Sequence, residues 1–400
     1  MSSPSLAQRN DLVVAPSTSR MRSIANELKE RGESVINFAA GELDFDTLDS
    51  VKQAAIEAIK GKCNTYTPAL GEKKIREQLA GHVSAQLGVD YAWNEVGMTA
   101  GAKQALYNTA MVLVNPGDEV IIPIPYWVTF PTQIELAGGK PVLVDTRVDH
   151  YQLSAERVAA AITPNTRAIL INTPNNPTGA VYSEETLRRI GELAIRHDLW
   201  IIFDECYSRL IRKGGQHHSI VTLMPALKAR TVVINSFSKS MALTGWRLGY
   251  VSAPEQVIKA MENLQGHTTS NPNVVAQVAV SRALDDSADF IATANAILDR
   301  RLQVIHEALA GIDHLQVAPA AGAFYVFADI QWFIGRQYAG RQQVRSTDEL
   351  VELILAEAKV AVVSGAGFGD PSGIRISYAV SDADVATGMQ RLREFFARFN

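Results

Sequence analysis

The sequence predicts an α/β protein, with a large domain on a mostly parallel sheet followed by a smaller α+β domain. Three observations carry this expectation. Seven short apolar runs, rich in Val and Ile, fall between residues 96 and 253. They lack polar alternation, so they fit strands buried on both faces, as in a parallel sheet covered by helices. Helical periods separate several of them, and from about residue 313 the order changes to two strands, helix, two strands and helix.

Taken in order, the first ~48 residues hold one helix (about 19–31) in irregular chain, too little for an independent domain. Val96-Gly-Met-Thr-Ala leads into a helix from Gly101, and Glu119-Val-Ile-Ile-Pro precedes the segment around Trp127. Pro141-Val-Leu-Val-Asp and Arg167-Ala-Ile-Leu-Ile-Asn follow, then a helix over 183–197 and Trp200-Ile-Ile-Phe-Asp. Thr231-Val-Val-Ile-Asn and Leu248-Gly-Tyr-Val-Ser complete the series, and residues 255–312 read as long helices. The later domain offers strands at His314-Leu-Gln-Val, Ala323-Phe-Tyr-Val-Phe, Val360-Ala-Val-Val and Ile374-Arg-Ile-Ser-Tyr, with helices near 347–358 and from 382. Ligands of such sheets bind at the carboxyl ends of the strands.

The 400 residues are enough for two domains, or one large and one small. A composition of 47% hydrophobic and 20% charged residues is ordinary for a soluble globular chain. The net charge of −4 carries no polyanion-binding signature, so no nucleic-acid partner is expected. No run approaches the roughly 18 apolar residues of a membrane span, and the N-terminal stretch lacks the apolar core of a signal peptide. Cys63 and Cys206 lie far apart without metal-ligand spacing. Neither a disulfide framework nor a metal site is expected, and a reducing, cytoplasmic location fits.

The stretch Ser236-Phe-Ser238-Lys239-Ser-Met-Ala-Leu-Thr-Gly-Trp-Arg247-Leu-Gly points most directly to chemistry. A lysine at the mouth of a buried strand is placed to lose its proton and act as an amine nucleophile. The hydroxyls and the arginine suit a phosphate dianion. Amine and phosphate site together suggest pyridoxal 5′-phosphate (PLP) held as a Schiff base, although a lone lysine without that context is usually solvated. Such a site also needs an anion for the pyridine nitrogen, donors for the ring oxygen, a phosphate cradle and a ring clamp.

Each has a candidate at a strand end. Asp204 offers the anion, or else caps a following helix. Tyr207 offers a phenol for the ring oxygen, or else is a partly buried tyrosine. Asn172-Thr-Pro-Asn-Asn176-Pro-Thr-Gly179 is either a plain turn or a stiff mount for an Asn176 amide aimed at that oxygen. Gly101-Ala102-Lys103 opens a helix whose free N–H groups form an anion site. Trp127 stacks on the ring or belongs to the core. Arg375 lies on an apolar strand of the small domain and needs an anion there: a bidentate substrate carboxylate or a structural ion pair.

Ser-x-Ser-Lys-x-x-x-x-x-Gly-Trp-Arg-x-Gly, Asn-Asn-Pro-Thr-Gly, Asp-Glu-x-Tyr and Arg-Ile-Ser, in this order and spacing, resemble the fold-type-I, class I/II PLP-dependent aminotransferases. The likeness runs from about Gly41 to the C-terminus. Within the family it is greatest to bacterial aspartate aminotransferases, through Gly101-Ala-Lys-Gln-Ala-Leu106 and Tyr66-Thr-Pro-Ala69. The resemblance implies the PLP-dependent transferase fold type I, with a mostly parallel seven-stranded sheet in a large domain over 49–297. Residues 1–48 and 298–400 would form the N-terminal arm and the small α+β domain.

It further implies Lys239 as Schiff-base and proton-transfer residue, Asp204 on the pyridine nitrogen, and Tyr207 and Asn176 on the ring oxygen. Ser236, Ser238, Arg247 and the Gly101–Lys103 turn would hold the phosphate, with Trp127 on the ring. Tyr66 would reach the phosphate of a neighbouring subunit, making a homodimer with shared sites. Gly41, Asn176, Trp127 and Arg375 would hold the substrate, and Lys103 would face the distal carboxylate of a dicarboxylic one. The implied reaction moves an amino group from an L-amino acid, aspartate first, to a 2-oxo acid, 2-oxoglutarate first, by a ping-pong cycle.

Three departures from the family pattern stand out. The loop Gly41-Glu-Leu-Asp-Phe lacks a proline after its glutamate. Ala102 replaces a glycine, which is tolerable at negative φ. Asn64-Thr65-Tyr66 lacks the lysine that usually precedes the tyrosine. Other amino donors, C–S lyase or oxidase chemistry on the same scaffold, and a PLP-sensing regulator are the competing expectations. The regulator would need a basic DNA-binding domain, and only 40 residues precede Gly41. By resemblance, Ser17, Thr18 and Arg20 lie in an arm over the site.

Overall fold

The computed structural model describes residues 5–13 and 17–399. The seven apolar runs form one sheet: β1 (Val96–Thr99), β2 (Glu119–Ile124), β3 (Lys140–Asp145), β4 (Thr166–Asn172), β5 (Trp200–Asp204), β6 (Thr231–Ser236) and β7 (Gly249–Ser252). Their spatial order is β1-β7-β6-β5-β4-β2-β3. β7 runs antiparallel to β1 and β6, and the other neighbouring pairs are parallel.

Both faces of the sheet are covered, which is why these runs lack alternation. Ile201, Phe203 and Val233 enter the apolar cluster on one face, and Ile202, Val232 and Ile234 enter the cluster on the other. The covering helices show the complementary pattern. In Glu184–Arg196 the buried residues are Leu187, Ile190, Gly191, Leu193 and Ala194, one stripe at helical spacing. The Ser183 hydroxyl caps its first turn by accepting the Thr186 N–H, a cap worth about 1 kcal/mol, and Glu184 and Glu185 oppose the positive end of the dipole.

The register brings several strand ends to one edge. Asn172 pairs with Asp204 across β4 and β5, and Ser236 and Thr99 both pair with Gly249. Chain emerging from these ends therefore meets over one stretch of sheet edge.

The small domain carries an antiparallel sheet of β8 (Gln316–Val317), β9 (Tyr325–Asp329), β10 (Val363–Ser364) and β11 (Gly373–Ser377), in the order β10-β11-β9-β8. Its apolar cluster also takes residues of the N-terminal segment, Val35, Ile36 and Phe38 among them. Ile36–Asn37 pairs parallel with Val360–Ala361. The run Val360-Ala-Val-Val is thus not one strand: its first half takes the N-terminal segment as partner and its second half joins β11. All four residues are buried, so apolar character alone does not reveal the change of partner. His314 stands outside its expected strand, at φ 63, and pairing begins only at Gln316.

The expected helical region resolves into Glu255–Thr268, Val274–Arg282 and Ser287–Ala310, the last continuous through residue 297. No helix among the described residues is long and apolar enough to cross a membrane, and no cluster of metal-ligating side chains occurs among them.

Candidate active site

Lys239 sits on the single helical turn Phe237–Ser240 that follows β6. The Ser236 hydroxyl starts that turn by accepting the Ser238 N–H at 3.1 Å and lies 2.9 Å from the Ser238 hydroxyl. The half-buried lysine donates from Nζ to the Gly41 carbonyl, across to the N-terminal segment. Burial lowers its pKa to about 8, with Arg375 and Arg247 adding repulsion and Cys206 and Glu42 opposing. A neutral amine is therefore accessible near neutral pH.

Asp204, buried at the end of β5, is pushed up to about 6, chiefly by burial. Its Oδ1 accepts the Cys206 N–H at 3.1 Å, closing a turn two residues on rather than capping a helix. A buried carboxylate in this condition gains from a cation placed against it. On the next turn of chain, the buried Tyr207 hydroxyl lies 3.0 Å from that of Tyr325, and burial raises its pKa well above the usual phenol.

The helix Ala102–Leu113 starts immediately after β1, so its first N–H groups face the strand-end edge. Gly101, its cap, has φ +80, and a Cβ there would fall 2.7 Å from Arg247 Nη2, so only glycine fits. Ala102 already belongs to the helix and so has negative φ; the loss of a glycine at this position is harmless. Arg247 itself sits at φ 54, donating from Nη1 to the Thr244 carbonyl at 2.9 Å. A non-glycine residue in that region costs about 1–2 kcal/mol, a strain typical of a functional constraint. Lys103 holds Nζ 4.9 Å from the Trp127 ring centre, and burial and Arg247 lower its pKa. Backbone N–H groups, two hydroxyls and a guanidinium thus surround a space suited to a phosphate.

Arg375, 2% exposed on β11, donates to Asn176 Oδ1 at 3.0 Å and to the Ala39 carbonyl at 2.9 Å. Its guanidinium lies 4.5 Å from the Tyr325 ring centre, and its buried Nε has no partner among the described residues. No acid contributes to its electrostatics: burial lowers its pKa, and only tyrosines oppose. A structural ion pair is therefore excluded among the described residues. The N-terminal segment that carries Ala39 and Gly41 is held by Ser377 N–H to the Phe38 carbonyl at 2.9 Å, and by Arg301 bridging Asp44 and Asp382.

These side chains share one cavity of about 480 Å³, which brings together Gly41, Ala102, Lys103, Trp127, Asn176, Asp204, Tyr207, Ser236, Ser238, Lys239, Arg247 and Arg375. Gly101 stands just behind it, as the cap. Tyr66 lies outside it, 89% exposed on this single chain. The side chains of Ser17, Thr18 and Arg20 lie outside the described residues. Sequence reasoning missed Tyr325, Glu42, Cys206 and Asn172, which also line the cavity. Tyr325 sits in an aromatic apolar strand, where a tyrosine gives no signal; Asn172, as the last residue of its strand, was within reach of the strand-end rule.

A family profile described as "Aminotransferase class I and II" matches residues 33–392. The chain belongs to this family. It is 40% identical to an aspartate aminotransferase of Geobacillus stearothermophilus, with 98% of each chain covered. An aspartate/prephenate aminotransferase of Nitrosomonas europaea is 35% identical, over 97% of this chain and 98% of that one. Among solved structures, the aspartate aminotransferase of Rhizobium meliloti superposes with a TM-score of 0.94 at 34% identity, each chain covered fully. The Thermus thermophilus aspartate aminotransferase with maleate gives 0.92 at 34% identity, covering 98% of this chain and all of that one.

The chain is accordingly a PLP-dependent aminotransferase of fold type I. Its cavity fits that cofactor on its own evidence. A lysine with a lowered pKa, a buried carboxylate in need of a cation and a phosphate cradle converge in one space.

Proposed function

We propose that this aminotransferase takes the amino group of L-aspartate and passes it to 2-oxoglutarate in a ping-pong cycle, as a cytoplasmic homodimer. The observation that carries the dicarboxylate assignment is a set of unmatched cations. Among the described residues, Lys103 feels only burial and the repulsion of Arg247, and Arg375 feels no acid. Both line one cavity. An acidic substrate with two carboxylates satisfies both, and desolvated cations otherwise remain costly.

In this reading Lys239 is the attachment point of PLP, Asp204 pairs with its ring nitrogen, and Tyr207 and Asn176 donate to its ring oxygen. Trp127 clamps the ring. Ser236, Ser238, Arg247 and the helix start at Gly101, Ala102 and Lys103 hold the phosphate. Bound there, PLP supplies a sink for the electron pair released at the substrate α-carbon. Arg375, Asn176 and the Gly41 backbone hold the α-carboxylate, and Lys103 takes the distal one. Freed from the cofactor, the Lys239 amine would act as general base and acid, taking the proton of the substrate α-carbon and handing it back. Its pKa near 8 supports this role, since a lysine at the ordinary 10.5 would stay protonated.

Tyr66, exposed here, would complete the phosphate site of a second copy. Residues 49–297 would form the cofactor-holding domain, with 1–48 and 298–400 forming the other.

The test is an amino-donor and acceptor panel with Lys103→Met. Aspartate and 2-oxoglutarate should be the best pair for the wild type. The variant should raise KM for aspartate about 10–100-fold, the worth of one charged hydrogen bond, and leave alanine nearly unchanged. Equal loss for both donors would contradict the assignment. Prephenate, named for the N. europaea relative, belongs in the panel as a second dicarboxylic acceptor.

A further inference from the structure

Tyr325 has no role in the family pattern given above, yet it touches both halves of the site. It leads β9, beside β11, with Tyr325 paired to Ser377 and Phe327 to Arg375. Its hydroxyl lies 3.0 Å from the Tyr207 hydroxyl. Its ring lies under the Arg375 guanidinium at 4.5 Å. A Cβ on Gly41 would fall 3.2 Å from the same hydroxyl, so the loop that approaches Lys239 is packed against it as well. Both tyrosines are buried, at 1% and 6% exposure, and no other hydrogen-bond partner of either hydroxyl occurs among the described residues.

We propose that Tyr325 is a positioning residue that couples the carboxylate anchor Arg375 to the Tyr207 phenol through one hydroxyl–hydroxyl bond and one cation–π contact. This rests on the reading that Tyr207 donates to the cofactor ring oxygen and that Arg375 receives the substrate carboxylate. A phenol carries one proton. If Tyr207 spends its proton on the ring oxygen, the bond between the hydroxyls forces Tyr325 to donate and Tyr207 to accept. Donation into Tyr207 polarises its O–H and strengthens its own donation, as in any hydrogen-bonded chain.

Arg375 sets how strongly Tyr325 donates. A cation over the ring face draws electron density from it and favours loss of the phenolic proton, in line with the direction in which Arg375 moves the Tyr325 pKa. A carboxylate on Arg375 cancels part of that pull. Tyr325 then donates less, and Tyr207 donates less to the ring oxygen. A donor at the ring oxygen stabilises the form whose nitrogen, joined to Lys239, has lost its proton. Carboxylate binding should therefore raise the pKa of that nitrogen, with Tyr325 carrying part of the signal.

The experiment is a pH titration of the visible cofactor band in wild type and Tyr325→Phe, each with and without saturating maleate, an unreactive dicarboxylate. Phenylalanine keeps the ring on Arg375 and removes only the hydroxyl. The variant without maleate should titrate higher than wild type by roughly half to one pH unit, the worth of one neutral hydrogen bond. Its further rise on adding maleate should be clearly smaller than in wild type. Tyr325→Leu, which also removes the ring face, should in addition weaken maleate binding several-fold. A Tyr325→Phe protein that titrates as wild type does, with the full maleate shift, overturns the proposal. A wild type that shows no cofactor band, or no maleate shift, overturns instead the site reading on which it rests.

Discussion

The two walls of the cavity are built on different principles. The large-domain wall is made of strand ends whose polar groups are largely satisfied by nearby backbone: Asp204 by Cys206 N–H, Ser236 by Ser238 N–H, Arg247 by the Thr244 carbonyl. The small-domain wall is made of long side chains that reach across from another sheet, and among the described residues its central cation has neither an acid nor a partner for Nε. One wall is preorganised by its own nearby backbone, while the central cation of the other is left for a ligand to match. The difference matches what each is proposed to hold: a resident cofactor on one side, a substrate that must leave on the other.

The sharpest way to break this comparison is Arg375→Met. If the guanidinium awaits an anion, KM for the amino donor should rise about 100-fold or more, because a desolvated bidentate pair is lost. Stability of the ligand-free protein should fall by no more than about 1–3 kcal/mol, since relief of a buried cation without an acid offsets the loss of its bonds to Asn176 and the Ala39 carbonyl. Urea unfolding and steady-state kinetics together decide the matter. A strongly destabilised variant would show that the arginine is structural, and the contrast between the walls would dissolve.

A smaller effect sharpens the other wall. In cofactor-free protein, Lys239 titrates at about 8 when folded and near 10.5 when unfolded. Between those values the unfolded state binds more protons, so this group makes stability rise with pH across that window. Below pH 8 both states are protonated and the burial penalty is fully present. From pH 8 to 9.5, wild type should gain roughly 1–2 kcal/mol relative to Lys239→Met, read as the difference of their urea midpoints. Tyrosines titrate alike in both proteins and cancel. A flat difference would mean that the lysine is solvated.

The same contrast explains what the sequence made legible. Large-domain site residues each follow a buried apolar run, and the rule that ligands sit at strand carboxyl ends located Asp204, Asn176, Ser236 and Lys239 without any coordinates. Gly101 was legible because a helix opening straight off a strand is an anion site wherever it occurs. Arg375 was visible only as an oddity, a charge in an apolar strand. Whether an acid paired with it depended on contacts from distant chain, Ala39 and Asn176 among them. Tyr325 was illegible for the opposite reason: an aromatic residue in an aromatic strand looks like core, and only the packing of β9 on β11 brings its hydroxyl to Tyr207. The split of Val360-Ala-Val-Val between two partners escaped for a related cause, since uniform burial erases the pattern by which pairing is inferred.

Everything in both walls is arranged about the ε-amine of Lys239, and one measurement addresses it directly. The purified protein, loaded with PLP, is reduced with borohydride, digested and mapped by mass spectrometry. A single pyridoxyl adduct on the peptide carrying Lys239, with loss of the yellow band and of turnover, is the predicted result. An adduct on another lysine, or an unmodified Lys239 in protein that remains active, would contradict it.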